Sequence, residues 1–236
     1  MLQITDDIFM FTGLLMGRAY AIRDDDGLTL VDTSIGQAAG RILRQVSAAG
    51  YQPKDIKRIL ITHAHPDHIG GLPKLAEATG ALVFASLLER PVIQDGAPIA
   101  RESGEKRSLL ARVIATMDRP MRVKVDHLVE DGTLLADVMG GLVALATPGH
   151  APGHIAYWQP ERRVAFVGDT MFHLRSKLTL PLKVLTYDMD EDKRSIAKLV
   201  ALEPKLALFG HGPPLTENTS EKLRQFAREV GAVQSR

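Results

Sequence analysis

Segment 59–68 constrains the fold and chemistry of this chain more than any other. Its first three residues are apolar and mostly β-branched, which predicts a short buried strand. Three histidines and one aspartate follow within six residues, namely His63, His65, Asp67 and His68. His63 and His65 are two residues apart, so in an extended segment they project to the same side. The other two lie in the first turn of a predicted helix, and we expect all four to converge where the strand ends.

The same pattern recurs three times further along the chain. The apolar runs 142–146, 164–167 and 206–209 each lead into a glycine-containing turn. These turns present His150, Asp169 and His211, respectively. Together with the first segment this makes seven candidate ligands, which are too many for one tetrahedral ion and suit two ions that share a bridging ligand.

Composition limits which metals and partners such a chain can have. The chain contains eight histidines and no cysteine, which excludes disulfides, thiolate zinc sites, Fe–S clusters and cysteine nucleophiles. A metal site must therefore use nitrogen and oxygen ligands, which fit zinc, iron or manganese. A net charge of +1, from 29 Lys plus Arg against 28 Asp plus Glu, gives no electrostatic sign of a nucleic-acid or membrane partner.

The chain shows no targeting signal, so we expect a cytoplasmic protein. No basic region followed by an apolar stretch stands at the start, as a signal peptide would require. No apolar run approaches the roughly 18–20 residues of a membrane helix.

Alternating strands and helices predict an α/β protein, and two hairpins predict that its sheets are mixed. The first hairpin, 20–31, turns at an Asp-Gly pair, and a second spans 155–167 with strands at 155–159 and 163–167. We expect further strands at 8–11, 82–84, 126–130, 142–146 and 206–209, and helices at 35–49, 66–79, 190–202 and 217–230. Thr33 or Ser34 is the expected cap of helix 35–49.

Residues 91–124 are less regular than the rest. Segment 101–124 carries seven basic and three acidic residues. It is interpreted either as a solvated helix that covers one edge or as a helical lid or insertion that faces anions over the site.

The order His63-x-His65-x-Asp67-His68, then His150, Asp169 and His211, resembles the metallo-β-lactamase fold superfamily, a large set of di-metal hydrolases. The resemblance covers nearly the whole chain, from the first hairpin to residue 212. It implies one domain over 1–236 with a four-layer αβ/βα sandwich of two mixed β-sheets flanked by helices. The metals would lie in a cleft along one edge.

The resemblance also implies a division of the ligands. His63, His65 and His150 would hold the first divalent ion, and Asp67, His68 and His211 the second, with Asp169 as the bridge and zinc preferred over iron or manganese. Asp32 matches an early aspartate of the family that fixes the orientation of a ligand imidazole, although it suits equally an N-cap of helix 35–49. His154, four residues after His150, either supports the site or is an ordinary loop histidine.

The resemblance implies a hydrolase in which a hydroxide bridging two ions attacks a carbonyl or phosphorus. Asp67 would be catalytic, orienting the nucleophile and passing its proton to the leaving group. The apolar segment 171–188 predicts a pocket wall that includes Phe172, His173 and Arg175, unless these residues only pack under a loop. This wall suits a small ester or lactone that bears an acyl chain or an acid group.

Other reactions in the same superfamily stay open. Thioester cleavage of the glyoxalase II type is disfavoured, because that group adds a C-terminal helical extension for glutathione and only 25 residues follow His211 here. Lactonases often carry a tyrosine three residues after the bridging aspartate, where this chain has Phe172. This departure weakens, without excluding, hydrolysis of acyl-homoserine lactones. A mononuclear iron dioxygenase of the persulfide dioxygenase type, a phosphodiesterase and a β-lactamase are the alternatives. A non-catalytic binding module would be expected to have lost ligands, and none is missing.

Overall fold

The computed structural model describes residues 1–99 and 122–233, which form two compact units. The first unit comprises Met1–Ile99, 122–129 and Leu135–Gly141. Its core element is a seven-stranded mixed sheet. In sheet order the strands are β1 (Leu2–Gln3), β2 (Ile8–Met10), β3 (Tyr20–Asp24), β4 (Gly27–Val31), β5 (Ile56–Leu60), β6 (Leu82–Ser86) and β7 (His127–Val129). Strands β1 to β4 pair antiparallel, whereas β4 to β7 pair parallel.

Three helices belong to this first unit, α1 (Ala39–Ala48), α2 (Pro66–Ile69) and α3 (Leu72–Thr79). Short 3-10 turns occupy Gly36–Ala38 and Pro53–Asp55, and a single π-helical turn occupies Pro91–Asp95. Helix α1 buries Ile42 and Val46, four residues apart on one face, in the same apolar cluster as Leu30 and Ile59 of the sheet. This spacing matches the 3.6-residue period of a helix that packs on a sheet.

The second unit comprises Glu130–Leu134 and residues 142–233. Its five-stranded mixed sheet has the order β14 (Leu206–Phe209), β11 (Val164–Gly168), β10 (Ile155–Gln159), β9 (Leu142–Ala146) and β8 (Leu134–Leu135). Strand β14 is parallel to β11, and β10 is antiparallel to both of its neighbours. A separate hairpin of β12 (Phe172–Leu174) and β13 (Lys177–Thr179) follows β11. The helices are α4 (Met189–Ala201) and α5 (Thr219–Glu229), with a 3-10 turn at Lys183–Leu185.

The predicted fold class, an α/β protein with two mixed sheets flanked by helices, is confirmed. The strands predicted at 142–146, 155–159 and 206–209 are observed with the same bounds. Among the described residues, no helix is both long enough and apolar enough to cross a membrane.

Two predicted helices are wrong in detail. Helix α1 begins at Ala39 after a 3-10 turn, and neither Thr33 nor Ser34 caps it, because its N-cap is Ala38. The helix predicted over 66–79 is interrupted at Gly70 and Gly71, which separate α2 from α3. Most of the predicted lid, residues 100–121, lies outside the described residues.

Candidate metal centre

Four predicted ligands lie together in the first unit, two in the segment after β5 and two in helix α2. His63 Nε2 is 3.0 Å from His65 Nδ1, and the rings of His63 and His68 have centroids 4.1 Å apart. Asp67 Oδ2 is 4.0 Å from His68 Nε2. His65 is the N-cap of α2, with Pro66 in its first turn, so the chain passes directly from an extended to a helical conformation within the cluster. This transition brings together side chains that the sequence spacing had predicted to converge.

Asp32, directly after β4, is buried and faces this cluster. Its Oδ1 accepts the backbone N–H of Thr62 at 2.8 Å, and its Oδ2 accepts the Thr62 hydroxyl at 2.7 Å. The same Oδ2 lies 2.8 Å from His68 Nδ1. Because a carboxylate oxygen only accepts, His68 carries its proton on Nδ1, and Nε2 is the ring nitrogen that could hold a metal ion. The structure therefore favours the orienting interpretation of Asp32, and the capping interpretation is wrong.

Thr62 and Glu89 also support the cluster, and the sequence reasoning missed both. The Thr62 hydroxyl gives its proton to Asp32, so its oxygen accepts from His63 Nδ1 at 3.0 Å. Glu89 is buried, and its Oε2 accepts the N–H of Ala64, which stands between the two histidines, at 2.9 Å. Thr62 was detectable as a hydroxyl residue next to a ligand. Glu89 lies 25 residues from its partner and leaves no local signal.

Residues 12–18, between β2 and β3, pack on the backbone of the same cluster. Gly17 has a φ of 61°, and a Cβ at that position would overlap the carbonyl oxygen of Asp67. The hydroxyl of Ser34 donates to the carbonyl of Met16. Leu15 and Met16 are 86% and 54% exposed, although both are apolar. The loop thus combines a tight contact at Gly17 with an exposed apolar tip.

The second unit brings together the other three predicted ligands. His150 follows β9, Asp169 follows β11 and His211 follows β14. His150 Nε2 and His211 Nε2 lie 3.4 Å and 3.2 Å from the same Oδ2 of Asp169. Two ligand atoms held about 2.0–2.2 Å from one tetrahedral ion stand about 3.3–3.6 Å apart. The donor atoms and their separations therefore fit a divalent metal ion.

His154 holds the backbone of Asp169 in place. Its Nε2 accepts the N–H of Asp169 at 3.0 Å, and its Nδ1 is 2.8 Å from the hydroxyl of Thr147. Because Nε2 is an acceptor, the neutral ring carries its proton on Nδ1 and donates it to Thr147. His154 thus lies in the site as a support of the proposed bridging residue, and its ring nitrogens are both engaged in hydrogen bonds.

Two further residues near His150 were not found from the sequence. The Thr186 hydroxyl oxygen lies 3.3 Å from His150 Nδ1. Asp192, in the first turns of α4, is fully buried, and burial is the main cause that raises the pKa of its carboxyl to about 8. The negative charge of Asp169 raises this pKa further, whereas the backbone N–H of His150 opposes the rise. Both residues are far from His150 in the sequence, and only the folded chain brings them next to it.

The three predicted pocket residues have different surroundings. The Phe172 ring has its centroid 4.5 Å from that of His211 and 6.5 Å from that of His150. The His173 backbone N–H donates to the carbonyl of His211 at 3.0 Å, and its Nδ1 donates to the carbonyl of Pro213 at 2.9 Å. Arg175 is exposed in the turn between β12 and β13. Phe172 thus borders two candidate ligands, whereas His173 supports the loop that carries one of them.

Comparisons with known proteins agree with this geometry. A sequence profile described as the metallo-beta-lactamase superfamily matches residues 12–211, a range that includes all seven candidate ligands. The chain is 29% identical over 221 residues to the probable metallo-hydrolase YflN of Bacillus subtilis (strain 168), covering 86% of this chain and 83% of YflN.

Two further similarities come from an enzyme sequence and a crystal structure. A hydroxyacylglutathione hydrolase of Erythrobacter litoralis is 34% identical over 195 residues, which cover 80% of this chain and 62% of that protein. A metallo-beta-lactamase family protein of Thermus thermophilus superposes with a TM-score of 0.75 at 23% identity, over 98% of this chain and 81% of that one. The last similarity shows a shared fold. With a profile match over most of its length, the chain belongs to the metallo-β-lactamase superfamily, a family of metal-dependent hydrolases.

Proposed function

We propose that this metallo-hydrolase uses two divalent metal ions, zinc by preference, to cleave a small ester or lactone. His63, His65 and His150 hold the first ion in this proposal. Asp67, His68 and His211 hold the second, and Asp169 bridges the two. The observation that carries the proposal is the convergence of two imidazole Nε2 atoms on one carboxylate oxygen of Asp169, at 3.4 Å and 3.2 Å.

The ligands are already oriented by hydrogen bonds at their far sides. Asp32 fixes His68 through Nδ1, and the backbone of Asp169 is fixed by His154. Ligand histidines in metal sites characteristically donate their second N–H to such a partner, and the partner contributes about 10–100-fold to metal affinity. Preset orientation of this kind supports a metal centre over a set of histidines that merely pack together.

Each part of the site has a chemical task in the proposed reaction. Two divalent ions, when bound, polarise the substrate oxygen and lower the pKa of a coordinated water to about 7. Asp67 is partly exposed beside His68, and its carboxylate accepts the proton of the attacking water and returns it to the leaving group. Phe172, beside the two proposed histidine ligands of the second unit, gives the site an apolar border.

The surface of segment 171–188 supports the proposed substrate class. Four large apolar side chains are exposed there, those of Leu174, Leu182, Val184 and Tyr187. In this proposal they form one apolar patch, and such patches mark binding surfaces. The cationic residues of the same segment are Arg175, Lys177 and Lys183. Such a surface suits a substrate with an acyl or aryl group and a negative charge.

Thioester hydrolysis is the second candidate. The 34% identity to a hydroxyacylglutathione hydrolase favours it, although the match spans only 62% of that relative. Hydrolysis of a thioester needs the same nucleophile and the same polarised carbonyl as hydrolysis of an ester. The two candidates therefore differ in the group that leaves, and a substrate panel separates them.

The test combines metal quantification with a panel of lactones, aryl esters, thioesters, a β-lactam and a phosphodiester. We expect two ions per chain and highest kcat/KM on an ester or lactone. Asp169→Ala should lower the metal content below two equivalents and abolish turnover. The matched control Asp190→Ala, at an exposed carboxylate of α4, should retain both properties.

Three results would contradict the proposal in different ways. An Asp169→Ala variant with two ions and full rate would overturn the assignment of the bridging ligand. One iron per chain with oxygen consumption would point to a dioxygenase. Thioester turnover well above ester and lactone turnover would select the second candidate.

A further inference from the structure

We infer that Thr186 is a positioning residue for His150: its hydroxyl oxygen accepts the Nδ1–H of His150 and so reserves Nε2 for the metal. The inference rests on the proposed function, since it assumes that His150 is a ligand. Thr186 stands 36 residues after His150 in the chain, in a segment that carries no candidate ligand. It acts on the ligand ring and touches neither substrate nor reacting atoms.

The direction of the hydrogen bonds follows from proton counting. The Thr186 Oγ1 lies 3.0 Å from the carbonyl oxygen of Leu182 and 3.3 Å from His150 Nδ1. A carbonyl oxygen can only accept, and a hydroxyl has one proton to give. Both contacts are satisfied together only when the proton goes to Leu182. The hydroxyl oxygen then accepts from His150, which must carry its proton on Nδ1.

The position of Thr186 is itself fixed by the backbone. Its N–H donates to the carbonyl of Lys183 at 3.1 Å, within the 3-10 turn. The next two residues bind the loop of His150: the N–H of Tyr187 donates to the carbonyl of His150 at 3.2 Å, and the N–H of Asp188 donates to that of Gly149 at 2.9 Å. One short segment therefore holds both the backbone and the ring of His150.

The first unit contains the same arrangement at another proposed ligand of the same ion. Thr62 gives its hydroxyl proton to Asp32, and its oxygen faces His63 Nδ1 at 3.0 Å. In both units a threonine whose proton is committed elsewhere determines which ring nitrogen is left for the metal. Thr186 differs in that its proton goes to a neutral carbonyl, so its hydroxyl can be removed without leaving a buried charge unpaired.

A pair of substitutions at Thr186 separates the effect of its hydroxyl group from the effect of its side-chain shape. Thr186→Val keeps the branched shape and removes the acceptor, whereas Thr186→Ser keeps the hydroxyl. Stepwise zinc affinities are measured by competition with a chromophoric chelator. We expect the valine variant to weaken one of the two affinities about 10–100-fold and to leave the other unchanged, and we expect serine to restore the wild-type value.

A matched control separates positioning from general stability. Thr219 is a buried threonine of the same unit whose hydroxyl oxygen lies 2.8 Å and 3.0 Å from the carbonyl oxygens of Lys205 and Leu215, so that its proton is donated to a carbonyl and no histidine is involved. Thr219→Val should lower the thermal midpoint of the metal-free protein but leave both zinc affinities as in the wild type.

A spectroscopic measurement checks the proton directly. In the zinc-loaded protein labelled with ¹⁵N-histidine, the Nδ1–H signal of His150 should exchange slowly with solvent in the wild type and in Thr186→Ser. It should exchange fast or vanish in Thr186→Val.

The outcomes distinguish this inference from the proposed function. If wild type and Thr186→Val bind two zinc ions with the same affinities and show the same Nδ1–H signal, the role of Thr186 is overturned and the metal centre stands. Wild-type protein that binds no zinc overturns the metal centre, and the inference with it. A loss of zinc affinity that Thr186→Ser fails to restore assigns the effect to packing and also overturns the inference.

Discussion

Asp32 follows β4 and accepts hydrogen bonds from Thr62 and from the candidate ligand His68. These contacts require an acceptor at both of its carboxylate oxygens. Asp32→Asn keeps the shape, and asparagine tolerates the φ of 58° at this position. Whichever way the amide is turned, one acceptor becomes a donor that faces either the Thr62 N–H or His68 Nδ1. We expect zinc affinity to fall about 10–100-fold, measured by chelator competition.

The control for this substitution is Asp25→Asn, at an exposed carboxylate of the first hairpin. It should leave the zinc affinity unchanged. Full zinc affinity in the Asp32→Asn protein would show that Asp32 does not orient His68.

The buried carboxyl of Asp192 gives the metal-free protein a pH-dependent stability. Its folded-state pKa of about 8 stands above the ordinary value of 3.8. Between roughly pH 4 and pH 8 the folded state therefore retains a proton that the unfolded state has released. The free energy of unfolding falls as pH rises through this window, by at most about 1.4 kcal/mol per pH unit.

Asp192→Asn, which is neutral at every pH, should flatten this dependence and be more stable than the wild type above pH 8. The measurement is the urea midpoint of the metal-free protein at pH 5.5, 7 and 8.5. Asp190→Asn, at an exposed position of the same helix, should keep the wild-type slope. Equal slopes in wild type and Asp192→Asn would contradict the raised pKa.

At the scale of elements, the hairpin β12–β13 supports the loop after β14 by close backbone contact. Gly212 has a φ of 101°, and a Cβ there would overlap the carbonyl oxygen of His173. Gly212→Ala therefore combines an unfavourable φ with a backbone clash next to His211. We expect a loss of more than about 3 kcal/mol in the free energy of unfolding, together with weaker zinc binding.

Gly132→Ala is the matched control, because Gly132 has a φ of 83° and open space where the Cβ would stand. It should cost about 1–2 kcal/mol and leave zinc binding unchanged. Equal losses in the two variants would show that the contact with His173 does not matter. Both values come from urea unfolding of the metal-free protein.

The sequence predicted those elements best whose signal is local. Strands β9, β10 and β14 are short apolar runs bounded by turn residues, and they are observed where predicted. The helix predicted over 66–79 was wrong because its apolar periodicity continues through Gly70 and Gly71. The helix breaks there, where the backbone lies close to that of Gly36 and Thr33. The hairpin β12–β13 was missed, since its turn uses Arg175 and Ser176 at positive φ instead of glycine.

At the scale of the whole molecule, the profile match over residues 12–211 spans ligands from both units. The candidate ligands could be proposed from the sequence, because three strand-end turns and one dense motif carry them. Among their supports, Asp32 and His154 were also proposed from the sequence, whereas the others were not. Glu89, Thr186 and Asp192 are ordinary residues in sequence, and only the folded chain brings them to Ala64 and His150.

A protein with two bound ions should be much more heat-resistant than its metal-free form. Free zinc at about 1,000 times the dissociation constant of a site stabilises the folded state by about 4 kcal/mol. For a chain of this length that corresponds to a rise in Tm of about 8–16 °C per site. Thermal unfolding with a chelator and with added zinc measures the rise.

The rise should be smaller in Asp169→Ala, which lacks the proposed bridging ligand, and complete in Asp190→Ala. A Tm that does not respond to zinc in the wild type would contradict the proposed metal centre.

The contact between Gly17 and the backbone of Asp67 has a consequence for how this protein can diversify. Within one loop, the position that touches the ligand segment accepts no side chain, whereas Leu15 and Met16 stand exposed beside it. Mutations at the tip can accumulate without displacing a ligand, and a single mutation at Gly17 does displace one. A library that varies this loop should therefore randomise the two tip residues and hold the glycine constant.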